Sequence, residues 1–340
     1  MRVLLIYTGG TIGMNRNART GVLEPFDFEE LLLRVPELRQ LPTEIDTHQF
    51  TPPIDSSDMS PRLWKQLADL IASRYDDYDG FVVLHGTDTM AYTASALSFM
   101  LEGLTKAVVL TGSQLPIGQL RTDGKENIIT AIEIAAARRQ DGTARVPEVC
   151  IYFSGHLMRG NRTTKQSADE FNAFESFNYP HLADAGVNIV YHDELILSPH
   201  DSHLSTLTSQ LDDNVFIFSL FPGVREDFIR YIITTPRLRS IVMRTFGSGN
   251  APHSPKLLEA LRDGTKQGLV IVNVSQCMQG CVEMGRYDAG FQLQEAGVVS
   301  GRDATVEATV TKLMWLQSKY DDPEMIRSMM QRSIRGEITV

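Results

Sequence analysis

The chain alternates short β-branched, apolar runs with longer amphipathic stretches, a rhythm that restricts it to folds built on a largely parallel sheet with crossover helices. The runs are Val3 to Tyr7, Phe81 to Leu84, Ala107 to Leu110, Val149 to Phe153, Val187 to Tyr191, Val215 to Ser219, Ser240 to Met243 and Leu269 to Val274. Between them, Pro61 to Ser73, Met90 to Glu102 and Asn127 to Arg139 carry helical patterning. Ser60 stands at the capping position of the first, with Pro61 in its first turn. Around Tyr191 to Asp213 the apolar periodicity dissolves into His, Asp, Ser, Pro and Thr, which marks a linker. A chain of 340 residues also exceeds what one core usually serves. The expected architecture is therefore two open α/β domains: a larger N-terminal one over 1–192 with a mostly parallel sheet, a linker over 193–213, and a smaller, Rossmann-like one over 214–340.

Charge and cysteine usage exclude several classes. The formal net charge of −10 argues against a nucleic-acid partner, because phosphate binding calls for clustered Lys and Arg. The strongest basic cluster, Arg159, Arg162 and Lys165, is local and suits a pocket wall better than a duplex-binding face. No apolar run is long enough to span a membrane. The sequence runs from Met1-Arg2 straight into a strand, without room for a secretory leader ahead of it. Cys150, Cys277 and Cys281 form an odd set that cannot pair completely within the chain, which fits a reducing cytoplasm.

Two threonine motifs follow directly on apolar runs: Thr8-Gly9-Gly10-Thr11-Ile12-Gly13 after the first, His85-Gly86-Thr87-Asp88-Thr89-Met90 after the second. In an open α/β sheet, ligands bind beyond the carboxyl ends of the strands, so these motifs deliver hydroxyls to one crevice. A threonine hydroxyl is a weak nucleophile and needs a neighbouring base before it attacks a carbonyl. Asp88 can orient a proton carrier, and Lys165 in Arg162-Thr163-Thr164-Lys165 is the candidate base. Each motif also has a plainer reading. The first serves equally as a tight strand-to-helix turn, and Asp88 and Thr89 are good helix caps. His85 reads as a structural imidazole.

Other constellations fall away. Gly9-Gly10-x-x-Gly13 lacks the dinucleotide spacing, and the chain contains no G-K-[ST] phosphate loop. Cys277 and Cys281 have the wrong interval for a zinc site, and His200-Asp201-Ser202-His203 reads as a solvated loop. Asp55-Ser56-Ser57-Asp58 offers hydroxyls, amides and carboxylates suited to an amino acid's charged groups, with a plain turn as the competing reading.

Taken together, the segments Thr8 to Met14, Asp55 to Met59, His85 to Leu101, Asn161 to Lys165, Gly247 to Pro252, Asn273 to Gly280 and Thr305 to Thr309 resemble the bacterial type I, cytoplasmic L-asparaginases, in order and over nearly the whole chain. The resemblance implies hydrolysis of L-asparagine to L-aspartate and ammonia, without metal or organic cofactor, in a homotetramer assembled as a dimer of dimers with sites between subunits. It implies Thr11 as nucleophile and Thr87, Asp88 and Lys165 as the second catalytic group. Asp55, Ser56 and Ser57 match positions that hold the substrate's α-groups, and Asn250 matches an asparagine contributed across the dimer. Thr164, Arg244, Ser275 and Cys277 match a second, activating asparagine site.

One departure stands out: the loop Arg19-Thr20-Gly21-Val22-Leu23-Glu24 lacks the tyrosine that many family members carry there. Tyr287 from a neighbouring subunit is the expected substitute as first base. Two rival classes remain, a non-catalytic amino-acid sensor on the same fold and a nucleotide-binding oxidoreductase, the latter without any phosphate fingerprint. A transfer-RNA amidotransferase subunit shares the fold but usually carries an added domain ahead of the first motif.

Overall fold

The computed structural model describes residues 1–16, 23–25, 33–198, 204–206 and 211–340. The chain divides into two compact units, Met1–Thr208 and Ser209–Val340. Residues 193–198 of the expected linker are bonded into the first unit, where Arg159 and Tyr179 donate to the Leu195 carbonyl and Glu148 accepts from the Leu197 amide.

In chain order the first unit contains β1 (Arg2–Tyr7), β2 (Glu44–Gln49), α1 (Pro61–Ser73), β3 (Gly80–Leu84), α2 (Met90–Met100), β4 (Ala107–Thr111), α3 (Gly124–Ala136) and β5 (Val149–Phe153). There follow β6 (His156–Arg159), β7 (Thr164–Lys165), β8 (Phe174–Glu175), β9 (Ala183–Ala185) and β10 (Ile189–Tyr191). Eight of these strands form one sheet in the order β10-β9-β6-β5-β4-β3-β1-β2. It is parallel from β2 through β5 and antiparallel from β5 to β10. The mostly parallel sheet expected from the alternation is present.

Strands β3, β4 and β5 are buried along their whole length, as helix-covered parallel strands must be, which is why they read as unbroken apolar runs. Helix α2 is buried around nearly its whole circumference, so it lacks a polar face. The antiparallel edge begins at a two-residue turn, Ser154 and Gly155, both at positive φ (50° and 88°). That is the primed-turn geometry that lets strands pair without splaying, and it returns β6 along β5.

Helix boundaries differ from expectation in instructive ways. Helix α1 spans the expected residues, but the Ser60 side chain makes no capping bond; the Ser60 carbonyl accepts from Trp64. Helix α2 stops at Met100 rather than Glu102. Helix α3 runs over Gly124–Ala136 rather than from Asn127 to Arg139; Asp123 at its start makes no side-chain capping bond and turns its carboxylate back onto the Gln114 and Leu115 amides, and Ala137 is already extended.

The second unit contains β11 (Val215–Ser219), α4 (Glu226–Ile233), β12 (Ser240–Thr245), α5 (Pro255–Lys266), β13 (Val270–Ser275), α6 (Asp288–Glu295), β14 (Val299–Ser300), α7 (Val306–Lys319) and α8 (Pro323–Met330). Its sheet runs β11-β12-β13-β14, all parallel. Ile241, Met243, Leu257, Leu261, Ile271 and Leu293 form its core. The C-terminal segment is fastened by a buried pair: Lys312 on α7 meets Glu337 at 2.5 Å and also donates to the Arg332 carbonyl. Among the described residues no helix is long and apolar enough to cross a membrane.

Candidate active site

Strands β1 and β3 lie side by side with Tyr7 opposite Leu84, so both threonine motifs leave the sheet at the same end. The Thr8 amide and hydroxyl both donate to the Leu84 carbonyl at 3.0 Å, fastening one exit to the other. Gly9 and Gly10 take φ of 144° and 95°. A Cβ on Gly10 would stand 2.5 Å from the Gly86 Cα, and one on Gly9 would overlap the Ile54 carbonyl. Only glycine permits this approach. Three segments therefore abut: Gly9-Gly10, Ile54 to Ser56, and His85-Gly86. The first leads directly into a short 3-10 turn, Thr11–Gly13, with Thr11 half-buried.

The second motif forms a 3-10 turn, Thr87–Thr89, ahead of α2. Neither Asp88 nor Thr89 acts as the helix cap that the plainer reading offers. The Thr89 hydroxyl donates to the Ser56 carbonyl at 2.6 Å, tying the second and third segments together. The Asp88 carboxylate accepts from the Lys165 ammonium at 2.6 Å, and the same ammonium donates to the Thr87 hydroxyl oxygen at 2.9 Å. The structure thus joins Thr87, Asp88 and Lys165, three residues nominated from sequence on two distant segments. Lys165 is presented by the β7–β8 hairpin, where it pairs with Phe174. Phe174 is buried against Phe153 of β5, with ring centroids 5.0 Å apart, so the sheet core holds the lysine's strand.

Gln114 was not anticipated. Its Oε1 accepts from the Thr87 hydroxyl at 3.4 Å, while its Nε2 donates to the carbonyls of Ala168 and Glu170, just beyond the lysine. Asp123 holds the Gln114 amide from behind, and its burial raises the carboxyl's pKa against the lowering effect of the Gln114 and Leu115 amides. A signal was present: Gly112-Ser113-Gln114 follows the end of β4, a third strand of the same sheet edge.

His85 is fully buried, with Nδ1 2.7 Å from the Gly86 carbonyl and Nε2 2.9 Å from the Thr93 hydroxyl, which accepts from Trp64 Nε1. A carbonyl only accepts, so Nδ1 carries the proton and Nε2 accepts from Thr93. Burial pushes its pKa down to about 4. It is a neutral, structural imidazole, in keeping with the sequence reading. Asp55 accepts from the Ser57 amide at 2.9 Å and hydroxyl at 2.8 Å, which holds its carboxyl below the usual range. Ser56 is buried against Gly86, whereas Asp55 and Ser57 are exposed.

The remaining candidates belong to the second unit. Asn250 closes a tight loop by exchanging backbone hydrogen bonds with Phe246, and Asn273 braces that loop by donating to Gly249. Tyr287 is exposed at the start of α6, with Arg286 over its ring. Arg244 and Ser275 sit at the ends of the adjacent strands β12 and β13, and the Ser275 hydroxyl links the Gly247 carbonyl to the Cys277 amide. Thr164 lies beside Lys165 in the first unit, opposite Glu175. Arg19 to Val22 of the loop without a tyrosine, and His200 to His203, lie outside the described residues.

Comparison with known proteins decides the lineage. Residues 2–197 match the family described as "Asparaginase, N-terminal", and residues 214–330 match "Glutaminase/Asparaginase C-terminal domain". The chain belongs to the asparaginase family. L-asparaginase 1 of Escherichia coli K12 is 42% identical over 99% of this chain and 98% of its own length. The solved L-asparaginase I from Vibrio cholerae superposes on it with a TM-score of 0.90 at 40% identity, covering 100% of this chain and 99% of its own. A mouse protein named 60 kDa lysophospholipase is 40% identical, covering 100% of this chain but 63% of its own length. Membership of the asparaginase family places the chain among amidohydrolases.

Proposed function

We propose that this asparaginase-family protein hydrolyses L-asparagine to L-aspartate and ammonia through a threonine nucleophile and a β-acyl-enzyme. The observation that carries this reading is the Lys165 ammonium, bonded at once to the Thr87 hydroxyl and the Asp88 carboxylate at the sheet end where the Thr11 turn begins. Thr11 attacks the side-chain amide carbon, its proton passes to a base, and the tetrahedral adduct collapses with loss of ammonia. Water then attacks the ester. For this step the Lys165 ammonium first cedes a proton to the Asp88 carboxylate it is bonded to; the resulting amine takes the proton from Thr87, which takes one from the water, and Asp88 keeps Lys165 oriented. Gln114 fixes the Thr87 rotamer. Ser56, with Asp55 and Ser57, holds the substrate's α-ammonium and α-carboxylate. Asn250 completes the site across the dimer.

The first base is assigned to Tyr287 of a neighbouring subunit within a homotetramer built as a dimer of dimers. Thr164, Arg244, Ser275 and Cys277 form a second asparagine site. Thr164 adjoins Lys165, so occupancy there changes the lysine's placement, which is the coupling that activation requires.

The test is ammonia release against L-asparagine concentration, with L-glutamine and lysophosphatidylcholine in parallel and Thr11→Ala as control. Asparagine-dependent ammonia that vanishes in the variant, on a sigmoidal curve, supports the scheme. Fatty-acid release without ammonia overturns the substrate, and a hyperbolic curve removes the activating site. Full turnover by Tyr287→Phe removes that residue as base. Ligand-dependent stabilisation without product identifies a sensor.

A further inference from the structure

The turn at Ser154-Gly155 brings together side chains that neither the sequence nor the amidohydrolase chemistry singles out. In β6 and β9 the register sets His156 directly opposite Asp184. His181 precedes β9, and His192 follows β10. The Asp184 Oδ1 lies 2.8 Å from His156 Nδ1 and 3.4 Å from His181 Nδ1, and its Oδ2 lies 3.0 Å from His192 Nε2. The rings of His156 and His181 stand 4.3 Å apart. One ligand atom from each of His156, His181 and Asp184 lies within 4.8 Å of the others.

The second nitrogen of His181 is also engaged: Nε2 is 2.9 Å from Glu175 Oε1. Both ring nitrogens thus face carboxylate oxygens, yet a neutral imidazole has a single N–H and serves only one of them. The other nitrogen presents a lone pair toward an anion, an arrangement that a cation between the two satisfies. Metal-bound histidines characteristically donate their second N–H to a carboxylate, as His181 would to Glu175. Tetrahedral coordination at about 2.1 Å places neighbouring donors roughly 3.4 Å apart, which the His181 Nδ1 to Asp184 Oδ1 spacing of 3.4 Å matches and the 2.8 Å to His156 Nδ1 would reach by a small outward shift.

We propose that His156, His181 and Asp184 form a site for a divalent transition cation of the zinc class. Glu175 orients His181, and His192 orients Asp184 through its second oxygen. Imidazole and carboxylate donors in a small, partly exposed cluster favour zinc, cobalt or nickel over magnesium or calcium, which take oxygen ligands. Glu175 is paired with Thr164 on the hairpin that carries Lys165, so the cation site and the threonine–lysine pair share one structural element.

The experiment measures zinc binding to the chelator-stripped full chain by equilibrium dialysis with metal analysis. A Cys277→Ser, Cys281→Ser background removes the exposed thiols as competing ligands. One zinc per chain is expected, weakened on the order of a hundredfold in His181→Gln and about tenfold or more in Glu175→Gln. Cobalt bound to the same protein should give the intense visible bands of a four-coordinate nitrogen–oxygen site. Histidine-labelled NMR of the unmutated chain guards against misfolded variants, because zinc should shift the His156 and His181 ring signals. No retained zinc, or binding that leaves those signals and both substitutions without effect, overturns the proposal.

Discussion

Lowering the pH should destabilise the first unit through one buried ring, His85, independently of any effect on substrate. Its folded pKa, about 4, lies below the ordinary value near 6.5. The contribution is therefore fully present above pH 6.5 and is lost as pH falls toward 4, because the unfolded chain takes up the proton first. Integrating between those pKa values, the native state loses about 2–3 kcal/mol by pH 4.5 relative to pH 7.5. The physical cause is local. A charged ring would carry a proton on Nε2, where the Thr93 hydroxyl donates its own, in a residue that is 1% exposed. Histidine-labelled NMR reads the site directly among the eight histidines of the chain. Urea denaturation at the two pH values, for wild type and His85→Gln, reads the energy. The variant should show a correspondingly smaller loss. An NMR titration midpoint near 6.5 for His85, or equal pH losses in both proteins, would refute the reasoning.

Three further outcomes follow from the geometry. Gly10→Ala should destabilise the first unit by about 1–3 kcal/mol or more, since its φ of 95° is strained for alanine and its Cβ meets the Gly86 Cα; thermal melting checks this. Glu337→Gln should cost about 3 kcal/mol by leaving the Lys312 ammonium buried without its counter-charge, read as a lowered denaturation midpoint of the second unit. Asp123→Asn should lower kcat more than overall stability, because it loosens the amide bonds that seat Gln114 against Thr87; equal kcat in the two proteins would remove Gln114 from the site.

The parts of the fold that were readable in the sequence are those decided by local chemistry. Buried parallel strands leave continuous β-branched runs, so β3, β4 and β5 and the threonine motif that follows β3 could be placed from composition alone. Of the antiparallel edge only β10 was named, within the run Val187 to Tyr191; β6 and β9 were missed because they are short and lack a continuous apolar run, although Ser154-Gly155 carried the turn signal. The start of α3 was placed three residues late, at Asn127 instead of Gly124, and the Asp123 carboxylate just ahead of it serves a distant loop instead of its own helix, which only tertiary structure reveals. Thr87, Asp88 and Lys165 were nominated together by the resemblance, but their physical convergence depends on Phe174 anchoring the β7–β8 hairpin. The histidine cluster was illegible, since it is assembled by strand register across four segments.

The central claim is a division of labour in which Thr11 forms the ester and the Thr87–Lys165 pair hydrolyses it. Rapid acid quench of Thr87→Ala and of Lys165→Met during turnover of L-asparagine, followed by peptide mass spectrometry, tests it most directly. Both variants should lose about 10²–10⁴-fold in kcat and accumulate an aspartyl adduct on the peptide containing Thr11. An adduct on the Thr87 peptide in a Thr11→Ala enzyme, or full turnover by Lys165→Met, would contradict the account.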